Sequence, residues 1–158
     1  MVMSLENSTK MLLQKHLNGG EAFMPISNLL SEITFDKVGE RPYKLPYSLY
    51  ELFYHITYAQ KDILEYCISE DYTTPNWPND YWPKQQAPES EASWQQLKKD
   101  YLNDRSRLEQ LIEQKSLIAV VPTGKNQTLM RELLLVIEHT AYHTGQLVII
   151  LRLLGLYK

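Results

Sequence analysis

Four histidines are spread along the chain, and two of them, His139 and His143, stand four residues apart in a long apolar stretch near the C-terminus. Four residues of α-helix turn the chain by about 400°, so these two imidazoles would lie one above the other on one face. Two such rings can reach a single metal ion. Gln146, three residues further on, continues the same stripe. A zincin would place a glutamate directly after the first histidine as its general base; that position is Thr140, which disfavours a metalloprotease.

A catalytic zinc-type site takes three protein ligands and keeps one position open. His55 is the candidate third ligand, since it falls among core-like residues where an unpartnered imidazole would be costly. Asp62 and Tyr58 share its helix face at offsets of seven and three. With Gln146, they are the candidates for orienting an imidazole, a bound water or a reactant. His16 has polar neighbours near the end of an N-terminal helix and reads as a surface residue favourable to the helix dipole. Cys67, next to Tyr66 and Ile68, reads as a small core residue, and the twelve residues of helix, about 18 Å, between it and His55 argue against ligation. Spacing alone leaves open whether the histidines hold a metal or are hydrogen-bonded residues of a core.

Helices must carry these groups. Residues 4–17 show loose helical spacing that stops at Asn18-Gly19-Gly20, and a second short helix is expected from after Pro25 to about Ile33. Gly39 to Pro46 reads as a loop. Ser48-Leu49-Tyr50-Glu51 is a capping-box start, and the apolar stripe behind it predicts a helix to about Ser69 that contains His55 and Asp62. Residues 71–88 hold several prolines together with Trp77, Trp82, Tyr72 and Tyr81, which excludes a regular helix. That loop is long for a compact domain; its aromatics are read first as pins holding it to the surface, with a functional role as the alternative. A third long helix should run from Glu89–Ser93 to Gln114 or Lys115, and a fourth from about Thr128 to Leu154, closed by Gly155. The last is apolar nearly all round, which implies a second buried face against another subunit, with Gly145 allowing close helix contact. No alternating strand pattern, internal repeat or low-complexity tract is present. The expected architecture is all-α, a four-helix bundle with long connections, in one domain spanning 1–158.

Bulk composition narrows the function. The 158 residues are 44% hydrophobic and 22% charged with a net charge of −3, the profile of a globular protein without the basic footprint of a nucleic-acid or anionic-membrane binder. A single cysteine permits no internal disulfide and suits a reducing compartment. The apolar run Leu147–Leu154 is broken by Arg152 and falls well short of the roughly 20 residues of a membrane span, so no membrane association is expected. The N-terminus lacks a signal-peptide pattern, and the cytoplasm is the expected location.

Several segments carry a resemblance. Pro46 to Leu52, His55-Ile56-Thr57-Tyr58-Ala59-Gln60, Asp62 to Glu65, Trp77-Pro78-Asn79-Asp80-Tyr81-Trp82-Pro83, and Arg131-Glu132 through His139-Thr140-Ala141-Tyr142-His143-Thr144-Gly145-Gln146-Leu147 are similar to the DinB family, which also contains the YfiT-like proteins. The resemblance runs from about residue 40 to the end and is weaker over the first helix. It implies a DinB-like four-helix bundle, commonly a homodimer, with a divalent metal such as zinc or nickel on His55, His139 and His143. It also implies a metal-dependent enzyme joining a low-molecular-weight thiol such as bacillithiol to an electrophilic small molecule. The alternatives are a metal-dependent hydrolase and a non-catalytic bundle whose metal stiffens the core or whose pocket senses a ligand. Polymerase chemistry is not implied, since the acidic metal motifs of polymerases are missing.

Overall fold

The computed structural model describes residues 4–158, and among these it is all-helical apart from one isolated antiparallel bridge between Val120 and Thr128. Five helices follow one another: α1 (Leu5–Asn18), α2 (Ile26–Glu32), α3 (Leu49–Ile68), α4 (Glu91–Gln114) and α5 (Leu129–Leu153). Their ends follow local chemistry. Ser4, Ser48, Ser90 and Thr128 each accept a backbone N–H of the first turn, and Gly19 closes α1 at φ 79°, a conformation that favours glycine. At Ser48 the cap is reciprocal: Ser48 Oγ takes the Glu51 N–H while Glu51 returns a carboxylate oxygen to the Ser48 N–H.

The four long helices form the bundle. α3 packs against both α4 and α5, α1 lies against α4 and α5, and α2 closes one end against α5. Two apolar clusters fill the interior. One joins α2, the first half of α3, the start of α4 and the end of α5, with Leu29, Leu52, Phe53, Ile56, Trp94 and Leu147 at its centre. The other joins α1, the end of α3, the second half of α4 and the start of α5, through Leu17, Leu64, Leu108, Ile112 and Leu133. Between them the buried residues turn polar: His55, Gln60, Asp104, Arg105, Thr140, His143 and Thr144.

α5 is long and apolar enough to cross a membrane by length and composition, which the eight-residue run considered alone did not suggest. Its buried stripe, Leu133, Val136, Thr140, His143, Leu147 and Leu151, is nonetheless committed to the bundle. The opposite face carries Met130, Leu134 and Ile149, all exposed. Gly145 lies there too, and a Cβ added at this position would meet nothing within the chain.

Candidate metal centre

α3 and α5 face each other across the polar layer and bring three histidines together. One ring nitrogen from each of His55, His139 and His143 lies within 4.8 Å of the others. The His55 and His139 Nε2 atoms are 3.1 Å apart. Two imidazoles bound tetrahedrally to one zinc at about 2.05 Å would stand roughly 3.3 Å apart, so this separation fits a shared ion.

Two of the rings are held by their other nitrogen. His55 Nδ1 lies 3.2 Å from the Tyr81 carbonyl oxygen, which can only accept, so Nδ1 carries the proton and Nε2 keeps its lone pair. His143 Nδ1 is 2.6 Å from Gln146 Oε1 and donates in the same way. An imidazole whose Nδ1–H is tied to an oxygen and whose Nε2 points at a common centre is the arrangement that metal-binding histidines use. The donor set therefore fits a divalent ion.

Burial keeps the rings neutral. His55 is pushed down to about 4 by desolvation, with the neighbouring His143 adding to the effect and the Tyr81 hydrogen bond opposing it. His139 falls to about 3, again chiefly by burial and then by the two adjacent imidazoles. His143 is lowered by burial against the opposing bond to Gln146. Neutral imidazole is the form that coordinates metal.

The loop of residues 71–88 does more than hold to the surface. The Trp82 ring lies flat on His55, with centroids 4.3 Å apart and planes within 4°. Trp77 and Tyr81 approach the same imidazole at 6.2 and 6.4 Å. The loop is itself secured at both ends. Near its start, Tyr72 Oη donates to Asp62 Oδ1 at 2.8 Å; near its end, Ser48 Oγ donates to the Gln86 carbonyl at 2.7 Å, and Trp82 stacks on Tyr47. The site is thus built from two helices and a loop. On α5, the exposed Tyr142 ring lies edge-on to His143 at 4.8 Å.

Asp62 and Tyr58 both meet the loop of residues 71–88. Asp62 accepts the hydroxyls of Tyr72 and Tyr81 and orients no imidazole directly. Tyr58 packs edge-on against Tyr81 at 5.0 Å and stacks on Tyr54, along a groove between α3 and α4. One residue, Tyr81, meets the whole His55–Tyr58–Asp62 line: its carbonyl faces His55, its ring Tyr58 and its hydroxyl Asp62. A backbone carbonyl leaves no trace in residue type, so its role was not readable; the density of aromatics in 71–88 was the available signal. His16 is exposed, and Cys67 is buried in the second apolar cluster.

In comparison with known families, the DinB family model aligns with residues 11–158. No curated protein matches the chain.

Proposed function

The chain belongs to the DinB family, and from that premise we propose that it is a divalent-metal-dependent enzyme transferring a low-molecular-weight thiol to an electrophilic small molecule. The observation that carries this reading is the convergence of three neutral imidazoles, two of them anchored through Nδ1. His55, His139 and His143 would hold the ion, and zinc or nickel suits an all-imidazole set. When bound, such an ion supplies the Lewis acidity that lowers the pKa of a thiol.

The candidate ligand group is three imidazoles with no carboxylate among them. Asp62, the carboxylate on the His55 face, is committed to two tyrosine hydroxyls and is not free to act as a base. A thiol near pKa 8.5 is already partly ionised at neutral pH, and an ion that binds its sulfur lowers that value further. Its proton passes to solvent, the S–C bond forms and the leaving group departs with its bonding pair. Trp82 shields one face of His55, while the exposed rings of Trp77 and Tyr142 flank the triad and offer apolar surface to an electrophile. Bacillithiol is the kind of thiol proposed.

We also place the protein in the cytoplasm as a homodimer. The dimer is supported by apolar side chains exposed on α5 outside its buried stripe, Met130, Leu134 and Ile149, and by the open space over Gly145.

The test is to incubate protein and metal with a panel of thiols and monochlorobimane. Adduct should form above background, and His143→Ala should abolish the gain. Metal-dependent turnover without any thiol would assign a hydrolase instead, and metal-dependent stability with no turnover would assign a non-catalytic bundle.

A further inference from the structure

We propose that Asp62 is a positioning residue for His55, acting through Tyr81. The proposal rests on the metal-site reading for its consequence but on separate contacts for its substance. Seven residues of helix, about 10.5 Å, separate Asp62 from His55, too far for direct contact. Tyr81 closes that gap from outside the helix. Its hydroxyl donates to Asp62 Oδ2, and its carbonyl accepts the His55 Nδ1–H at 3.2 Å.

The link is directional at every joint. Asp62 receives hydroxyls on both oxygens, from Tyr72 at 2.8 Å and from Tyr81, so it acts as an acceptor on each. The short helix Asn79–Tyr81 ends on the residue that meets both Asp62 and His55. That helix is held by Asp80, whose carboxylate accepts the Asn76 N–H at 2.7 Å while its own N–H donates to the Asn76 carbonyl at 3.0 Å. The next residue, Trp82, presses its ring flat on the same imidazole. His55 is therefore fixed in its plane by a carbonyl and across its face by an indole, both supplied by the loop that Asp62 ties down. The outcome is an Nδ1–H tautomer whose Nε2 lone pair faces His139.

The experiment uses full-length protein and two readouts. In metal-free protein at pH 7, ¹⁵N–¹H correlation spectra should show wild-type His55 as the Nδ1–H tautomer, and Tyr81→Phe and Asp62→Ala should each mix in the Nε2–H form. In zinc titrations against a competing chelator, both variants should bind about 10- to 100-fold more weakly than wild type. The double variant should bind no more weakly than the weaker-binding of the two singles, since both cut one link. Should Asp62→Ala fail to fold, Tyr81→Phe, which removes one oxygen atom, carries the test alone. A lowered Tm with unchanged tautomer and unchanged zinc affinity would reduce Asp62 to a loop anchor and overturn the proposal while leaving the metal site intact. A tautomer shift in a protein whose wild type binds no zinc would instead uphold the link and defeat the metal reading.

Discussion

Two polar clusters interrupt the apolar interior at the same level of the bundle, and they dispose of their hydrogen bonds in opposite ways. Around Arg105, the donors are consumed inside the chain. Its guanidinium bonds the Leu17 carbonyl at the end of α1, the Tyr101 hydroxyl at 2.7 Å and Thr140 Oγ1 at 3.2 Å, leaving only Nε unpaired. Around His55, the Nδ1 atoms of two rings are consumed, while the Nε2 of His55 faces the Nε2 of His139. The first cluster is closed on itself and joins α1, α4 and α5. The second is braced from behind and directed inward at a shared point. A buried polar group is thus better judged by where its ring or guanidinium atoms point than by its burial, since Arg105 and His55 are 5% and 2% exposed.

The comparison predicts its largest effect at Arg105. Arg105→Ala leaves a carbonyl and two hydroxyls without their partner and opens space in the core, and should cost about 3 kcal/mol of unfolding free energy. Urea denaturation measures this, and the folded protein should bind metal as before. A loss below about 1 kcal/mol would place Arg105 with surface residues and break the contrast. His143→Ala should act the other way round. Wild type at a metal concentration of 100 Kd gains about 2.7 kcal/mol of stability, and the variant should gain almost none, as thermal melts with and without zinc would show.

Smaller effects sharpen the boundary between the clusters. Gln146→Leu removes the acceptor behind His143 and should weaken metal binding about 10- to 100-fold, with little change in the melting of the metal-free protein. Cys67 should be silent at neutral pH. Burial, with Glu132 nearby, pushes its thiol up to about 12, so the nucleophilic thiolate is scarce below that pH. Iodoacetamide at pH 8 should leave native protein unmodified and label it in urea; fast native labelling would show that this part of the second apolar cluster opens.

Much of this was legible in residue order because the controlling signals are local. The Ser48–Glu51 capping box, Gly19 and Thr128 mark helix ends through contacts within three or four residues, and α1, α3, α4 and α5 begin and end within a few residues of where those signals place them. The four-residue offset of His139 and His143 likewise follows from helical rotation, His55 was marked by its core-like neighbours, and the structure brings the three rings together. What escaped is non-local. Asp62 shares a face with His55, yet its partners come from a loop whose path no periodicity describes. Arg105 stands among the charges of α4, yet it falls four residues after Tyr101 and three before Leu108, on the apolar stripe itself. Its partners Leu17 and Thr140 lie on other helices, and only the packed bundle shows why a cation is accepted there.

The central claim is that three imidazoles on α3 and α5 hold one divalent ion. Elemental analysis of protein purified without a histidine tag, beside His55→Ala, His139→Ala and His143→Ala, tests it most directly. The account predicts about one divalent ion per wild-type chain and loss of that ion in each variant. A wild-type stoichiometry near zero after incubation with zinc or nickel, or unchanged metal in all three variants, would contradict it.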